Sequence, residues 1–125
     1  MIGIPYRDKG RDRSGCDCYG LVYFYNKLFL KKELPLYLDY TDSLNRKAVD
    51  DVIEKHKNEW KKVSQNDTLN GDLILFRAGR RNGHCGVMIS KNEFLHVSDD
   101  TETSCIERID NQKWKNKIRG FYKWV

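Results

Sequence analysis

From Trp60 onward the chain is cut into short β-type runs by turn residues, whereas before that point it is not. Strand-favouring residues cluster at about Trp60–Val63, Leu73–Arg77, His84–Ile89, Glu93–Val97, Cys105–Ile109 and Ile118–Lys123. Asn66-Asp67 and Asn70-Gly71-Asp72 are the first breaks between them. The earlier half reads differently. Leu21 to Leu30 is almost continuously apolar, and its aromatic and β-branched residues suit a strand, but its length and lack of alternation predict a buried helix. Pro35 is expected to end the segment that follows it. Asp42 or Ser43 can cap a second helix running to about His56, with Leu44, Ala48, Val49, Val52 and Ile53 on one face and charge on the other. Helices first and strands after them define an α+β domain, N-terminal helices packed on an antiparallel sheet of five to six strands.

With 125 residues, 39% of them hydrophobic, residues 1–125 are expected to close one core as a single domain. No run approaches the roughly 18 apolar residues that a membrane helix needs, so no membrane insertion is expected. Met1 to Tyr6 lacks the pattern of a secretory signal, which predicts cytoplasmic synthesis with later release. The net charge of +5 is spread along the chain, a solvated surface rather than a nucleic-acid patch. Arg7, Lys9, Arg11 and Arg13, with Arg77, Arg80 and Arg81, could still converge on one site and favour an anionic substrate. Four cysteines (Cys16, Cys18, Cys85, Cys105) do not make a disulfide scaffold and read as free thiols.

Chemistry concentrates in Gly15-Cys16-Asp17-Cys18-Tyr19-Gly20. Cys18 falls where the first helix begins, and the unpaired N–H groups of a first helical turn favour thiolate over thiol. Gly20 leaves room there for a substrate backbone or a neighbouring strand. Such a nucleophile needs a base. His84 opens one predicted strand and His96 lies near the end of the next. If these strands pair across Ser90-Lys91-Asn92, the two histidines become neighbours. His84 can then take the Cys18 proton while His96 fixes its tautomer, the nucleophile, base and orienter logic of a catalytic triad. A strand histidine is often only a half-buried hydrogen-bonded residue, and His56, closing a charged helix, fits that description.

Four segments together resemble the NlpC/p60 cell-wall cysteine peptidases, especially single-domain members encoded among phage tail genes. They are Gly3-Ile4-Pro5-Tyr6, Asp17-Cys18-Tyr19-Gly20-Leu21-Val22, Gly71 to Phe76 leading to His84-Cys85-Gly86-Val87-Met88, and Phe94-Leu95-His96. The ending Cys105 to Arg108 and Gly120-Phe121-Tyr122 is similar to the tail-gene members. The resemblance implies a papain-like fold and hydrolysis of stem-peptide bonds in peptidoglycan, commonly after D-glutamate, through an acyl-enzyme with no metal or other cofactor. Cys18 would be nucleophile, His84 base and then acid, and His96 the third polar residue. Tyr6 would hold the oxyanion with the Cys18 N–H. Asp17 would bind a substrate amino group or anchor the loop. Tyr19 stands where many members have Ser, which alters the expected substrate pocket. Phage tail proteins are implied as partners, and association with a virion as the route to the wall.

Three other readings remain open on the residues. Cys16, Cys18, His84 and Cys85 have zinc-ligand chemistry, although Cys-x-Cys and adjacent His-Cys depart from the usual spacing. The chain could be a non-catalytic tail component. It could also use the same thiol as an amidase, deamidase or acyltransferase, since a fold and triad do not set the substrate.

Overall fold

The computed structural model describes residues 1–40, 46–78 and 81–124. Two short strands come first, β1 (Arg11–Asp12) and β2 (Gly15–Cys16), then helices α1 (Cys18–Phe29) and α2 (Arg46–His56). Six strands follow: β3 (Lys61–Val63), β4 (Leu73–Ala78), β5 (Arg81–Met88), β6 (Glu93–His96), β7 (Cys105–Arg108) and β8 (Ile118–Lys123). They form one antiparallel sheet in the order β3-β8-β4-β5-β6-β7. The α+β architecture and the six-stranded sheet are as expected from the sequence.

Alternation along the strands gives the sheet two buried faces. Leu75, Cys85, Val87, Leu95 and Val97 pack with Leu21 and Val22 of α1. Ile74, Phe76, Met88, Phe94 and Phe121 pack with Ile109 and Trp114 from the β7–β8 connection. Cys85 therefore belongs to the helix face and His84, stacked on Phe76 and Trp114, to the other.

Asp17 caps α1 by accepting the Gly20 N–H at 2.8 Å. Buried Asn26 ties the helix to the sheet, donating to Val22 O at 2.9 Å and Gly71 O at 3.0 Å. The helix stops at Phe29, well before Pro35, because Lys31 turns into the left-handed region at φ 53° and the Lys32 N–H returns to Asn26 O. The expected Asp42 or Ser43 cap and Leu44 lie outside the described residues. α2 does end at His56, with Val49 buried and Val52 and Ile53 half-buried.

Two differences from the sequence reading matter for the site. Residues 1–15, read as a loop, contain the β1–β2 hairpin, closed by Asp12 accepting from the Ser14 N–H at 2.9 Å and from its hydroxyl. Single bridges Pro5↔Thr103 and Tyr6↔Cys16 lay this arm beside the nucleophile segment. β5, expected from His84, begins at Arg81, because its pairing with β4 continues past an irregularity. Phe76 faces His84 and Arg77 faces Asn82, leaving Gly83 as the extra residue. A bulge of this kind re-aims the side chain beside it, here His84.

Candidate active site

Cys18 is the first residue of α1 and half-buried. Its sulfur is hydrogen-bonded with Cys85 and His84, neighbouring residues of β5. The Cys85 thiol, in spite of burial, and then His84 hold the Cys18 pKa well below the ordinary thiol range. Cys85 is pushed well above it, first by Cys18 and then by burial. One sulfur of the pair takes the negative charge and the other keeps its proton. Cys16 is fully buried, points its sulfur at Asp12 O at 3.2 Å, and is pushed up to about 12 by burial. Thus the four candidate zinc ligands divide, Cys16 turning away from the other three. All four cysteines are free thiols.

His84 Nε2 lies 2.9 Å from His96 Nδ1, as the hairpin arithmetic required. Gly86 permits the close approach, since a Cβ there would stand 3.3 Å from the His96 Cβ. His96 is fully buried, and its Nε2 is hydrogen-bonded to Glu107 Oε2. Burial first, then the neighbouring His84, lowers its pKa to about 4 against the pull of Glu107. Trp114 Nε1 donates to the same Glu107 oxygen at 2.9 Å and its ring stacks on His84 at 5.5 Å.

The far side of Cys18 is built from charge. Asp17 Oδ1 accepts from Gly20 N at 2.8 Å and Arg11 Nη1 at 2.8 Å; Oδ2 accepts from Lys9 N at 2.9 Å and from the Tyr40 hydroxyl. Burial and then Cys18 raise the Asp17 pKa, whereas Arg11 is raised by Asp17 in spite of its own burial. Four donors on two oxygens, with Arg11 among them, identify Asp17 as the carboxylate form at neutral pH. With both oxygens occupied, Asp17 anchors the loop in this structure. Arg11 also reaches Leu36 O and Tyr37 O, and the Tyr19 hydroxyl donates to Pro35 O at 2.7 Å, so the 34–40 strap is latched to the start of α1. The room at Gly20 is taken by the Gly10 carbonyl, 1.8 Å from where a Cβ would stand.

Among the described residues, the basic side chains that could have converged on Cys18 do not cluster there. Arg11 is turned onto Asp17, Arg7 donates to Ser14 Oγ, Arg13 lies over Phe24, and Arg77 donates to Asn116 O. Arg80 and the Arg81 side chain lie outside the described residues. Tyr6 is half-buried beside Cys16, its N–H donating to Glu102 O at 2.8 Å. Tyr19 lines a pocket with Cys18, Tyr37, Ile53, Leu75 and Tyr122 whose exposed wall is almost wholly apolar. Sequence reasoning missed Glu107, Trp114, Tyr40 and the Cys85 contact. Among the described residues, His96, Cys105 and Glu107 are the one group of metal-ligand type whose atoms lie within 4.8 Å of one another. No helix among them is long and apolar enough to cross a membrane.

A cysteine at a helix start, facing paired histidines on an antiparallel sheet, defines a papain-like α+β architecture. The chain belongs to the NlpC/P60 family, which it matches over residues 3–123. It is 30% identical over 115 residues to the Escherichia coli K12 protein named murein DD-endopeptidase MepS/murein LD-carboxypeptidase, covering 92% of this chain and 53% of that one. It is 26% identical over 123 residues to murein DD-endopeptidase MepH of the same strain, covering 96% and 41%. The chain thus spans about half the length of the curated relatives it matches. Among solved structures, the NlpC/p60 domain of peptidoglycan hydrolase SagA aligns with a TM-score of 0.64 at 16% identity, covering 98% of this chain and 88% of that one. An NLP/P60 family protein similar to lipoprotein from Staphylococcus aureus Mu50 aligns at 0.68 and 20% identity, covering 99% and 37%. These two show the fold.

Proposed function

We propose that this chain is a cysteine endopeptidase acting on the peptides of peptidoglycan, with Cys18 as nucleophile, His84 as general base and acid, and His96 as the residue that orients it. The observation that carries the reading is the Cys18 sulfur held by His84, whose other ring nitrogen is held by His96. The relatives named as murein endopeptidases supply the substrate class.

In this mechanism His84 holds the Cys18 proton and the thiolate attacks the scissile carbonyl carbon. The oxyanion forms near the Cys18 N–H at the start of α1 and the Tyr6 hydroxyl, each such donor being worth about 3 kcal/mol of barrier. Collapse breaks the C–N bond, His84 gives its proton to the leaving amine, and a thioester remains. A water then loses a proton to His84, attacks the thioester and releases the acid, regenerating the thiolate. Cleavage after D-glutamate and cleavage of a D,D bond are distinguished by the fragments released. Delivery on a phage tail, resting on the resemblance of the chain's ending, is tested by its presence in purified virions.

The apolar pocket beside Cys18 favours a second reading, acyl transfer or thioester hydrolysis on a substrate with an alkyl chain. The experiment separates the two. Wild type, Cys18→Ala and His84→Ala are labelled with iodoacetamide across pH, then incubated with purified peptidoglycan and with acyl esters of increasing chain length. The peptidase reading expects Cys18-selective labelling below neutral pH, slowed by His84→Ala, and defined muropeptides lost in both variants. Ester turnover rising with chain length, without muropeptide release, would establish the second reading. Slow and uniform labelling of all four cysteines would remove both.

A further inference from the structure

We infer that Glu107, held by Trp114, is a positioning residue that sets the proton direction of the whole Cys18–His84–His96 row. The inference rests on the proposed roles of Cys18, His84 and His96 and adds a fourth and a fifth member to that row. β7 pairs with β6 so that Cys105 faces His96 and Glu107 faces Phe94, which puts Glu107 on the same face as His96 and one step along it. The side chain of Glu107 is 24% exposed, whereas that of His96 is fully buried, so the row runs from the protein interior to its edge.

The direction follows from counting protons. Buried His96 is neutral at neutral pH, because its folded pKa is about 4, and a neutral imidazole carries a single N–H. An ionised carboxylate only accepts, and here it accepts from two sides, from Trp114 Nε1 and from His96 Nε2 on the same oxygen. The His96 proton is thereby on Nε2. Its Nδ1 is left as an acceptor and receives the Nε2–H of His84. His84 then has only Nδ1 for Cys18, where it accepts the thiol proton or, once charged, donates to the thiolate. Without the carboxylate, His96 is free to carry its proton on Nδ1. It would then donate to His84 Nε2, push the His84 proton onto Nδ1, and leave no acceptor for Cys18. Lys113, 5.0 Å over the Trp114 ring, and the Cys105 thiol, 3.7 Å from His96 Nε2, are further titratable groups facing this row. Neither is placed to supply the two-sided acceptor.

Glu107→Leu removes both acceptor and charge, whereas Glu107→Gln keeps an oxygen that accepts from Trp114 and His96 together. The experiment combines the iodoacetamide pH profile of Cys18 with nitrogen-15 NMR of the histidine rings. It needs no peptidoglycan, so failure of the wall-hydrolase reading and failure of this one are seen separately. Wild type is expected to show His96 with its proton on Nε2. Glu107→Leu is expected to mix the tautomers and slow Cys18 alkylation near neutral pH by at least about 10-fold, since a base in the wrong tautomer loses most of its effect. Glu107→Gln is expected to keep the tautomer and recover much of that rate. A folded Glu107→Leu with an unchanged pH profile would overturn the inference. If that variant does not fold, wild-type His96 protonated on Nδ1 would overturn it as well.

Discussion

Two carboxylates serve Cys18, the buried Asp17 beside it and the partly exposed Glu107 at the far end of the histidine row, and they are used in opposite ways. Asp17 is saturated by a backbone N–H from its own helix, another from the N-terminal arm, a guanidinium and a phenol. Its partners come from three separate stretches of chain, the 9–11 arm, the first turn of α1 and Tyr40, so it fixes where the thiol stands. Glu107 accepts from two aromatic N–H groups, one of them the end of a row leading back to the thiol. It fixes where a proton stands. The same functional group serves position when its donors lead no further toward the reacting atoms, and chemistry when one donor can pass its effect along a chain of rings.

The largest expected effect breaks the Asp17 side. Asp17→Ala leaves Arg11, whose side chain is only 9% exposed, without its counter-charge, and removes the cap of α1. Uncovering one partner of a buried pair costs about 3–5 kcal/mol, read as a fall in the urea midpoint at pH 7.5. In the molecules that remain folded, the His96 tautomer is expected to be unchanged. A wild-type midpoint, or a shifted His96 signal, would mean that the two carboxylates do not divide the work as described.

The division also explains what could be seen in the sequence. His84 and His96 were legible as neighbours because a hairpin is arithmetic: once Ser90-Lys91-Asn92 is the turn, strand pairing places both rings. Cys18 was legible because a polar, glycine-interrupted arm gives way there to an apolar run, which marks a helix start. Glu107 was not, since Cys-Ile-Glu-Arg alternates like any solvent-facing edge strand. Only the β6–β7 register, set across the irregular 97–104 connection, brings its carboxylate to His96. A weak signal existed in Cys105 and Glu107 at i and i+2, which must share a face. Arg11 and Tyr40 lie 29 residues apart and meet through a strap with no periodic pattern. The two-residue strands β1 and β2 are too short for alternation to reveal, and Pro35 drew attention from the left-handed turn at Lys31 that ends α1.

An intermediate effect is expected from acid. His96 has a folded pKa of about 4 against 6.5 for an ordinary histidine, so between those values the unfolded chain takes up a proton that the folded chain refuses. Stability therefore falls as pH drops from 6.5 to 4 and is insensitive to this group above and below that window. The contribution is on the order of 3 kcal/mol. Asp17, whose pKa is raised by burial, slopes the other way, because the folded state then binds its proton first. Urea midpoints at pH 7.5, 5.5 and 4 in wild type and His96→Asn isolate the histidine, since the variant keeps the Asp17 slope. Equal slopes in the two proteins would show that His96 is protonated as readily inside as outside.

The smallest and sharpest test removes one neutral donor from each carboxylate. Tyr40→Phe takes a hydroxyl from Asp17, and Trp114→Phe takes an N–H from Glu107 while keeping a ring against His84. A hydrogen bond to a charged acceptor is worth about 1.5 kcal/mol, so both variants are expected to lose a similar, modest amount of stability. Their alkylation profiles are expected to differ. Tyr40→Phe leaves Asp17 with three donors and Cys18 facing an unchanged His84, so its pH dependence stays that of wild type. Trp114→Phe leaves Glu107 held by His96 alone, free to swing toward solvent, and the Cys18 profile moves to higher pH. A shift in the Tyr40 variant with none in the Trp114 variant would reverse the roles assigned to the two sides of the thiol.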